Sequence, residues 1–547
     1  MNDRKQILII GSGIAGMTCA VRCAEHGMQV KLVSPYPSER SQSVMASGGI
    51  NAVLDRPEES DSIASHIHDT LKGGSYLSGE EAVRGLCEDA PDIIAWLEKI
   101  GTVFSRDPDG TVSRRAFGGQ SFKRTCYCGA ATGKQIVTAL VMECRRLEVS
   151  GLVERMTGRH FHSALIKDGM CHGAPLFNQN TGSLETVYAD ALVMATGGQN
   201  ALFGKTTGST LCDGYAAGQL FRQGAELKNL EFIQFHPTTL ETSQKKMMIT
   251  EAVRGEGGRL FYEQDGRRVW FMEDKYGPNG NLMTRDIVSR EISAAPSQVY
   301  LDISFLDPKI IDDRLGEVRD LCARYRGIDI KKEPIPVTPS VHFFMGGLAV
   351  HMNHETNITN LFAIGECASM YHGANRLGGN SMLAAIHGAR VAADALAERT
   401  FSENTCDFTA YADEQAEKLA AMTGTESTFP AAYIRDMTAE TMQKYMGIIR
   451  DEASLNKGLE EIDYYLSIAS RLRFDDSVHV YANYSLESIL ILAKAALLAA
   501  RERRESRGSH WRSDCPDTDA SLQYADIISY DDGAYRIRLD KEHEYES

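Results

Sequence analysis

The N-terminal residues carry the clearest pattern of apolar and polar positions in the chain. An uninterrupted apolar run at Gln6–Ile10 (QILII) is typical of a strand that is buried on both faces. A glycine-rich turn follows at Gly11–Gly16 (GSGIAG), then a helical pattern over Met17–His26 and a second apolar strand over Gln29–Val33. This order predicts a strand–helix–strand unit with parallel strands.

Two later segments repeat the pattern of a buried strand that ends in glycine. They are Ala191–Gly198 (ALVMATGG) and Asn360–Glu366 (NLFAIGE), and the second precedes a helical pattern over Asn380–Ala395. We therefore expect one nucleotide-binding sheet assembled from distant parts of the chain, with residues 236–342 inserted as a second domain. Beyond residue 413 the pattern is helical, and residues 513–547 are polar and expected to be irregular.

Charge and cysteine spacing exclude several classes of function. The 547 residues carry 74 acidic and 58 basic side chains, and the resulting net charge of −16 argues against a nucleic-acid partner. The basic run Arg501–Arg507 is interrupted by Glu502 and Glu505, so we interpret it as a solvated helix face. The 12 cysteines form no CxxC, CxxCH or ferredoxin-like run. No metal site is predicted, and electrons that travel far would need another protein.

No segment is predicted to enter a membrane. Strand-like sequence starts at Gln6, which leaves no room for a signal peptide. The longest apolar stretch, Ile489–Ala500, is broken by Lys494 and is too short to span a bilayer. We expect a soluble, cytoplasmic protein that can dock peripherally on the inner face of the cell membrane through partner subunits.

The glycine-rich turn has the context of a dinucleotide site. Gly11 permits the tight turn, Gly13 lets the backbone approach a pyrophosphate, and Gly16 lets helix and strand pack closely. The N–H groups at the start of the helix would hold the phosphates. The second strand ends at Ser34 rather than at an acidic residue, which argues against a plain NAD site, although a hydroxyl can bind a ribose. Glycines in Ser47–Asn51 (SGGIN) would let a flat ring system lie against the backbone.

A series of motifs, in order along nearly the whole chain, resembles one known family. The chain is similar to the flavoprotein subunits of the succinate dehydrogenase/fumarate reductase family, which also contains L-aspartate oxidases. The matching motifs are GSGIAG at Gly11, RSQSVMASGGIN at Arg40, FGGQ at Phe117, RT at Arg124, ATGG at Ala195, EFIQFHPTTL at Glu231, TEAVRGEGG at Thr250, TRDIVSRE at Thr284, HFFMGG at His342, AIGE at Ala363, HGANRLGGNSM at His372 and RESRGSHWRSDCP at Arg504. Each motif alone is weakly specific, whereas the ordered set is highly specific.

The resemblance implies an α/β fold in several parts. These are a discontinuous Rossmann-like FAD-binding domain (1–235 and 343–412), an inserted α+β capping domain (236–342), a C-terminal helical domain (413–512) and a tail (513–547). It also implies FAD as cofactor. The implied FAD contacts are Gly11, Gly13, Ala15, Gly16, Ser34, Ser47, Gly48, Asp213, Glu366 and Ser381.

One position departs from the family pattern. Membrane-bound members carry FAD covalently on a histidine, and this chain has Gln42 at that place. An amide cannot make that bond, so the resemblance implies non-covalent FAD, as in aspartate oxidases and soluble fumarate reductases. A histidyl link raises the flavin's reduction potential, which succinate oxidation needs. Its absence favours fumarate reduction.

The resemblance also implies a set of substrate residues. Fumarate is a flat dianion, and Arg376 suits bidentate binding of one carboxylate. His236 and His342 can donate hydrogen bonds to the dianion, although either could alone be a satisfied core histidine. The complete implied set is His236, Thr250, His342, Arg376, Phe117 and Gly49, with a hydroxyl bond from the threonine and edge packing from the phenylalanine. Polarising a carboxylate makes the double bond a better hydride acceptor.

Arg285 is the proton donor implied by the resemblance. Arginine is ordinarily always protonated, so it works as an acid only if the lost proton is replaced at once. Glu251 and Arg254 stand three positions apart and share a helix face if that stretch is helical. They would form a relay from solvent through Arg254 and Glu251 to Arg285. The alternative is that all three are structural ion-pair residues.

Several rival functions remain open on sequence. An L-aspartate oxidase must pair its substrate's ammonium group with an anion, and that branch has a glutamate where this chain has Phe117. Succinate dehydrogenase would run the reaction in reverse. Related enzymes reduce other enoates, and a non-catalytic flavin or assembly subunit would not need the histidines and arginines together.

The electron donor is not visible in the sequence. The family's usual partner is an iron–sulfur subunit, which is fed by quinol or thiols through a further membrane or thiol-linked subunit. A stand-alone enzyme that uses free reduced flavin is the alternative.

Overall fold

A five-stranded parallel sheet forms the centre of the fold. The computed structural model describes residues 4–54, 60–129, 131–243, 245–402, 405–422, 430–469 and 480–540. The strands lie in the order Leu361–Ala363, Ala191–Met194, Gln6–Ile10, Gln29–Ser34 and Val153–Thr157. The prediction that distant segments build one sheet is therefore confirmed.

Burial on both faces explains the uninterrupted apolar run of the central strand. Ile7 and Ile9 pack into one core cluster with the following helix, while Leu8 and Ile10 pack into a second cluster on the opposite face. The helices Ile14–Glu25, Thr132–Val149 and Asn380–Glu398 cover the first face. A parallel sheet covered in this way leaves no solvent-facing position for a polar residue.

The middle of the chain forms a six-stranded antiparallel sheet. Its strands lie in the order Lys246–Met248, Ile233–Glu241, Ile335–Phe344, Val299–Asp302, Arg259–Gln264 and Arg267–Val269. The helices of this part are Ala252–Gly255, Phe271–Tyr276, Arg285–Ser293, Pro308–Arg314 and Gly316–Arg326. We propose 236–342 as the capping domain. Its first residue lies in the strand Ile233–Glu241 and its last in the strand Ile335–Phe344, and these two strands pair with each other.

Helices dominate the C-terminal part of the chain. They span Thr409–Ala421, Ala431–Tyr445, Glu452–Ala469, Val480–Tyr484 and Leu486–Glu502. Among the described residues, the helical stretch Val480–Glu502 is long and apolar enough to cross a membrane, longer than the apolar run expected from sequence. Because 72% of its apolar window is buried inside the protein, we interpret it as a core helix.

The prediction that residues 513–547 are irregular was wrong for much of this segment. Ala525–Asp531 and Ala534–Asp540 form an antiparallel hairpin, whose first strand pairs with Leu227–Lys228. Asp532 and Gly533 both have positive φ, at 42° and 88°, as a two-residue hairpin turn requires. The Asp-Gly pair and the alternation of apolar and charged residues after it were the available sequence signals. The hairpin completes a sheet with Gly347–Ala349 and Ala368–Ser369.

Shorter elements connect these parts. The remaining helices are Ile63–Gly73, Glu80–Lys99 and Tyr215–Arg222. The remaining strands are Ile50–Asn51, Arg114–Arg115, Thr125–Cys126, Arg159–Phe161, Ile166–Lys167, Met170–Cys171, Gly173–Asn178, Ser183–Tyr188, Ile449–Arg450 and Trp511–Arg512. Short 3-10 turns span Ser38–Arg40, Gln42–Met45, Asn200–Phe203, Gly280–Leu282, Gly365–Cys367 and Ala520–Leu522.

Candidate active site

The glycine-rich turn forms a cradle at the carboxyl end of the central strand. Gly11 has φ of +112°, and a β-carbon there would lie 2.1 Å from the carbonyl oxygen of Ala195. A β-carbon on Gly16 would lie 1.8 Å from the carbonyl oxygen of Gly11, so helix and strand touch through backbone. The hydroxyl oxygen of Ser43 accepts a hydrogen bond from the N–H of Ile14 at 3.1 Å. The turn therefore fits the pyrophosphate of a dinucleotide.

One continuous cavity of about 480 Å³ runs from this cradle to the antiparallel sheet. Almost every sequence-predicted site residue lines it: Gly11, Gly13, Ala15, Ser34, Ser47, Gly48, Gly49, Phe117, Asp213, His236, Thr250, Glu251, Arg285, His342, Glu366, Arg376 and Ser381. Gly16 and Arg254 lie outside the lining. Gly16 packs against the strand, and Arg254 is buried behind Glu251. A cavity that begins at a pyrophosphate cradle and ends among arginines fits FAD, with a second small molecule at the far end.

Ser34 is partly engaged by its own turn. Its hydroxyl donates a hydrogen bond to the carbonyl oxygen of Tyr36 at 2.7 Å. The sequence interpretation had this hydroxyl binding a ribose. In the structure it retains lone pairs to accept a hydrogen bond, but its proton is already used.

Arg115 supports the glycine loop and was missed by the sequence interpretation. Its guanidinium donates to the carbonyl oxygen of Ser47 at 2.8 Å and, from Nε, to that of Gly48 at 3.1 Å. Burial lowers the pKa of Arg115 to about 10. The guanidinium thereby fixes the carbonyls of the loop, whose glycine leaves room for a flat ring. The pair Arg114–Arg115 offered no sequence signal, since paired arginines are ordinarily solvated.

Glu251 stands between two arginines at the far end of the cavity. Its carboxylate accepts hydrogen bonds from Arg285 Nε at 3.0 Å and from the N–H of Gly118 at 2.6 Å. Arg254 approaches the same carboxylate to 3.5 Å. Burial alone would raise the pKa of Glu251, but the guanidinium groups of Arg285 and Arg254 bring it below its ordinary value. The three residues predicted as a relay therefore lie in contact and in the predicted order.

Gln234 joins the two arginines that face the cavity, and the sequence interpretation gave it no role. Its Oε1 accepts from Arg285 Nη1 at 3.0 Å and from Arg376 Nη2 at 2.9 Å. Its Nε2 donates to the carbonyl oxygen of Arg376 at 2.7 Å and to Oδ1 of Asn375 at 2.8 Å. All polar atoms of this buried amide are used, so Gln234 sets the separation of the two guanidinium groups. Its position two residues before His236 on the same strand face was the available signal.

His236 and His342 face each other from the two long paired strands. Their ring centroids are 5.2 Å apart at an interplanar angle of 71°. His342 Nδ1 bonds Thr207 Oγ1 at 2.8 Å, while Nε2 of His236 has no partner among the described residues. Burial, then the charge of Arg285, lowers the pKa of both histidines well below the ordinary value. Each ring is therefore neutral and can donate one hydrogen bond to a ligand when its proton is on Nε2. For His236 this is the tautomer in which Nδ1 accepts from the N–H of Thr238 at 3.3 Å.

Phe117 closes the cavity on the side of the glycine loops. A β-carbon on Gly48 would lie 3.4 Å from its ring, and one on Gly378 would lie 3.0 Å away. Two glycines thus make room for one flat aromatic wall. Thr250 precedes the helix Ala252–Gly255 and accepts from the N–H of Ala252 at 3.4 Å, which leaves its hydroxyl proton available.

The far end of the cavity carries an excess of positive charge. Arg285 and Arg254 pair with the carboxylate of Glu251, and burial and the nearby Arg285 lower the pKa of Arg376. Arginine nevertheless stays protonated in proteins. Glu366 near Arg376 offsets this only in part, because burial raises its pKa to about 7. A small molecule with two negative charges would neutralise the excess.

Replacing Gln234 by glutamate is expected to weaken the binding of a small dianion. The substitution keeps the shape but adds a negative charge between two guanidinium groups, which will keep it ionised. We expect the dissociation constant for malonate, measured by calorimetry, to rise by about 10- to 100-fold, on the order of one to three kcal/mol. Gln298→Glu, on an exposed part of the capping segment, should leave it unchanged. An unaltered malonate affinity in Gln234→Glu would contradict an anion site here.

Comparisons with known proteins match this chain along nearly its whole length. The family model described as an FAD binding domain matches residues 6–382, and the model described as fumarate reductase flavoprotein C-term matches residues 435–543. The succinate dehydrogenase flavoprotein subunit of Bacillus subtilis (strain 168) is 37% identical over 539 residues, covering 94% of this chain and 92% of that protein.

Two further matches are named as fumarate reductases. One of the subunits of the fumarate reductase (CoM/CoB) of Methanothermobacter marburgensis is 34% identical over 94% of both chains. The solved structure of a variant of the E. coli quinol fumarate reductase is 30% identical, with a TM-score of 0.89 over 98% of this chain and 96% of that one.

Proposed function

Because the chain belongs to the family of succinate dehydrogenase and fumarate reductase flavoprotein subunits, we propose that it reduces fumarate to succinate. Membership makes it an FAD-dependent oxidoreductase, and relatives carry both names. The direction therefore has to be argued from this chain's own residues. The observation that carries the choice of substrate is the pair of buried guanidinium groups held apart by Gln234.

These two guanidinium groups suit a flat dicarboxylate. Arg376 binds one carboxylate, with Nε that has no partner among the described residues. His236 and Thr250 are neutral hydrogen-bond donors, so they add no charge to the site. They donate to the second carboxylate, or to lone pairs of the first that Arg376 leaves free. This grip withdraws electron density from the double bond and lowers the barrier to hydride addition.

The remaining step is delivery of one hydride and one proton. Reduced FAD, when bound, supplies the hydride to one olefinic carbon. Arg285 donates a proton to the other carbon, and the Glu251 carboxylate then passes to Arg285 a replacement proton that it takes from the buried Arg254, which solvent must resupply. Fumarate thereby gains two protons and two electrons and leaves as succinate. The contacts of 2.9 Å and 3.5 Å along this series support the order of transfer.

Phe117 supports a substrate without an ammonium group. The ring lies in the cavity against Gly48 and Gly378, and the resemblance places it where the aspartate oxidase branch has a glutamate. An aromatic wall supplies no counter-charge to an amine at hydrogen-bonding distance. L-Aspartate oxidation is therefore the weaker alternative. The arginines and histidines together likewise disfavour a non-catalytic flavin subunit.

Succinate oxidation is the second candidate, because the Bacillus subtilis relative carries that name. The measurement that separates the two uses purified protein with dithionite-reduced viologen dye. We expect fumarate to oxidise the dye quickly, and succinate to reduce oxidised dye slowly. Equal or faster succinate oxidation would reverse the assignment. Peroxide formation from L-aspartate would move the chain to the oxidase branch.

Gln42 leads us to propose non-covalent FAD. It lines the cavity within the turn Gln42–Met45, and its Oε1 has no partner among the described residues. An amide nitrogen is not a nucleophile that would take up the flavin methyl carbon. Acid precipitation is expected to leave the yellow flavin in the supernatant, measured by its absorbance. Flavin that remains on the pelleted polypeptide would refute this.

We further propose that an iron–sulfur subunit delivers the electrons. Several relatives are named as subunits, so this chain is expected to work in an assembly. Such an assembly would hold the protein peripherally at the inner face of the cell membrane, through quinol-linked or thiol-linked subunits.

A further inference from the structure

Two side chains of the C-terminal helices reach the end of the cavity that is remote from Arg285. They are Arg435 on the helix Ala431–Tyr445 and Tyr481 on the helix Val480–Tyr484. The strand end at Ser34 lies at the same end of the cavity. In a Rossmann-like site the end of the second strand faces the adenosine ribose, so this is the adenosine half.

Tyr481 belongs to an aromatic group just beyond Ser34. Its ring centroid lies 4.1 Å from that of His160, and His160 in turn lies 6.4 Å from Tyr36. The hydroxyl of Tyr481 donates to the carbonyl oxygen of Phe161 at 3.2 Å, which fixes the ring in place. All four residues line the cavity. A purine ring packs well against such faces, and base–aromatic stacking contributes about 1–3 kcal/mol.

Arg435 is held at the same end by groups that leave donors unused. Its Nη2 donates to the carbonyl oxygen of Ala482 at 3.1 Å, and its Nη1 lies 3.6 Å from the carboxylate of Asp213, beyond hydrogen-bonding distance. Nε is buried without a partner among the described residues. Nη2 also donates to Ser485 Oγ, and Asp213 accepts from the N–H of Tyr215 at the start of the helix Tyr215–Arg222, so the groups around this guanidinium are fixed.

We propose that the C-terminal helices complete the FAD site, with Tyr481 as a wall for the adenine and Arg435 as a donor to the adenosine ribose or its phosphate. The FAD site is thereby not confined to the segment 6–382. Binding of the adenosine half adds contacts between the C-terminal helices and the parallel-sheet part of the protein. The proposal does not depend on the direction or the substrate of the reaction.

The test compares two flavins that differ only in the adenosine half. Apoprotein from a riboflavin-starved expression host is titrated with FAD and with FMN, following quenching of flavin fluorescence. We expect Tyr481→Ala to weaken FAD by about 10-fold or more and to leave FMN affinity within about 2-fold. Arg435→Gln should show the same contrast. Tyr481→Phe keeps the ring and should restore FAD affinity.

Surface residues of the same part of the chain supply matched controls. Tyr464→Ala and Arg504→Gln change exposed side chains of the C-terminal part and should leave both affinities unchanged. Parallel losses of FAD and FMN affinity in Tyr481→Ala would indicate a merely structural role and overturn the proposal. Unchanged FAD affinity in both Tyr481→Ala and Arg435→Gln would overturn it as well.

Discussion

Replacing Arg285 by glutamine or lysine is expected to reduce fumarate turnover by on the order of 10³-fold, since a positioned general acid contributes about 10²- to 10⁴-fold. Glutamine carries no acidic proton, and lysine is too short to keep both the Glu251 contact and the reach into the cavity. The guanidinium bonds Glu251 through Nε and Gln234 through Nη1, at 3.0 Å in each case. The measurement is kcat with viologen as electron donor.

The FAD content distinguishes a chemical loss from a folding defect. Arg285 lies at the end of the cavity remote from the glycine cradle, so the ratio of flavin to protein absorbance should stay at the unsubstituted level. Arg290→Gln is the matched control, because Arg290 lies on the same helix and its guanidinium packs on Trp511 at 4.1 Å. Near-normal turnover in either Arg285 variant would remove this residue from the chemistry.

Replacing Arg376 by glutamine is expected to lower kcat/KM for fumarate by about 10²- to 10³-fold, because removing one partner of a buried, hydrogen-bonded charge pair costs about 2–5 kcal/mol. The guanidinium packs on the Phe343 ring, 4.4 Å from its centroid, and Nη2 donates to Gln234 Oε1 at 2.9 Å. These contacts orient its N–H donors before substrate binds. The loss should therefore appear in malonate affinity as well as in turnover.

Lysine at position 376 tests whether anion binding needs the two parallel N–H donors of arginine or only its positive charge. Arg376→Lys keeps one positive charge but not two parallel donors, so it should recover only part of the loss. Arg268→Gln is the control, since Arg268 pairs with Asp302 outside the cavity lining. If malonate binds Arg376→Gln as tightly as the unsubstituted protein, the carboxylate site lies elsewhere.

The parallel sheet was predictable because burial on both faces leaves an uninterrupted apolar run. Gln6–Ile10 and Ala191–Met194 show this pattern directly, and the glycine turn adds the position of the cradle. The hairpin at Ala525–Asp540 carried a signal that the sequence interpretation missed, because its second strand alternates the apolar residues Tyr535, Ile537 and Leu539 with charged residues, as a half-buried strand does. Its Asp-Gly turn is a second signal.

The site was predictable residue by residue through the family motifs, but its internal connections were not. Gln234 stands next to residues with assigned roles, yet an amide has no intrinsic chemistry that distinguishes it from a buried polar residue. Its role follows from two arginines that are distant in sequence and converge only in the folded protein. Arg435 and Tyr481 were missed for the same reason, since the C-terminal helices carry no nucleotide motif.

The pairing of the hairpin with Leu227–Lys228 constrains how the protein is made on the ribosome. Chains fold from the N-terminus during synthesis, so Leu227–Lys228 leaves the exit tunnel long before its partner strand Ala525–Asp531 exists. The central sheet likewise waits for Leu361–Ala363. A nascent chain of this protein therefore exposes unpaired strand edges for most of its translation. Chaperones are consequently expected to bind the nascent chain during translation, whereas cofactor insertion is expected to be completed late, once the partner strands have emerged.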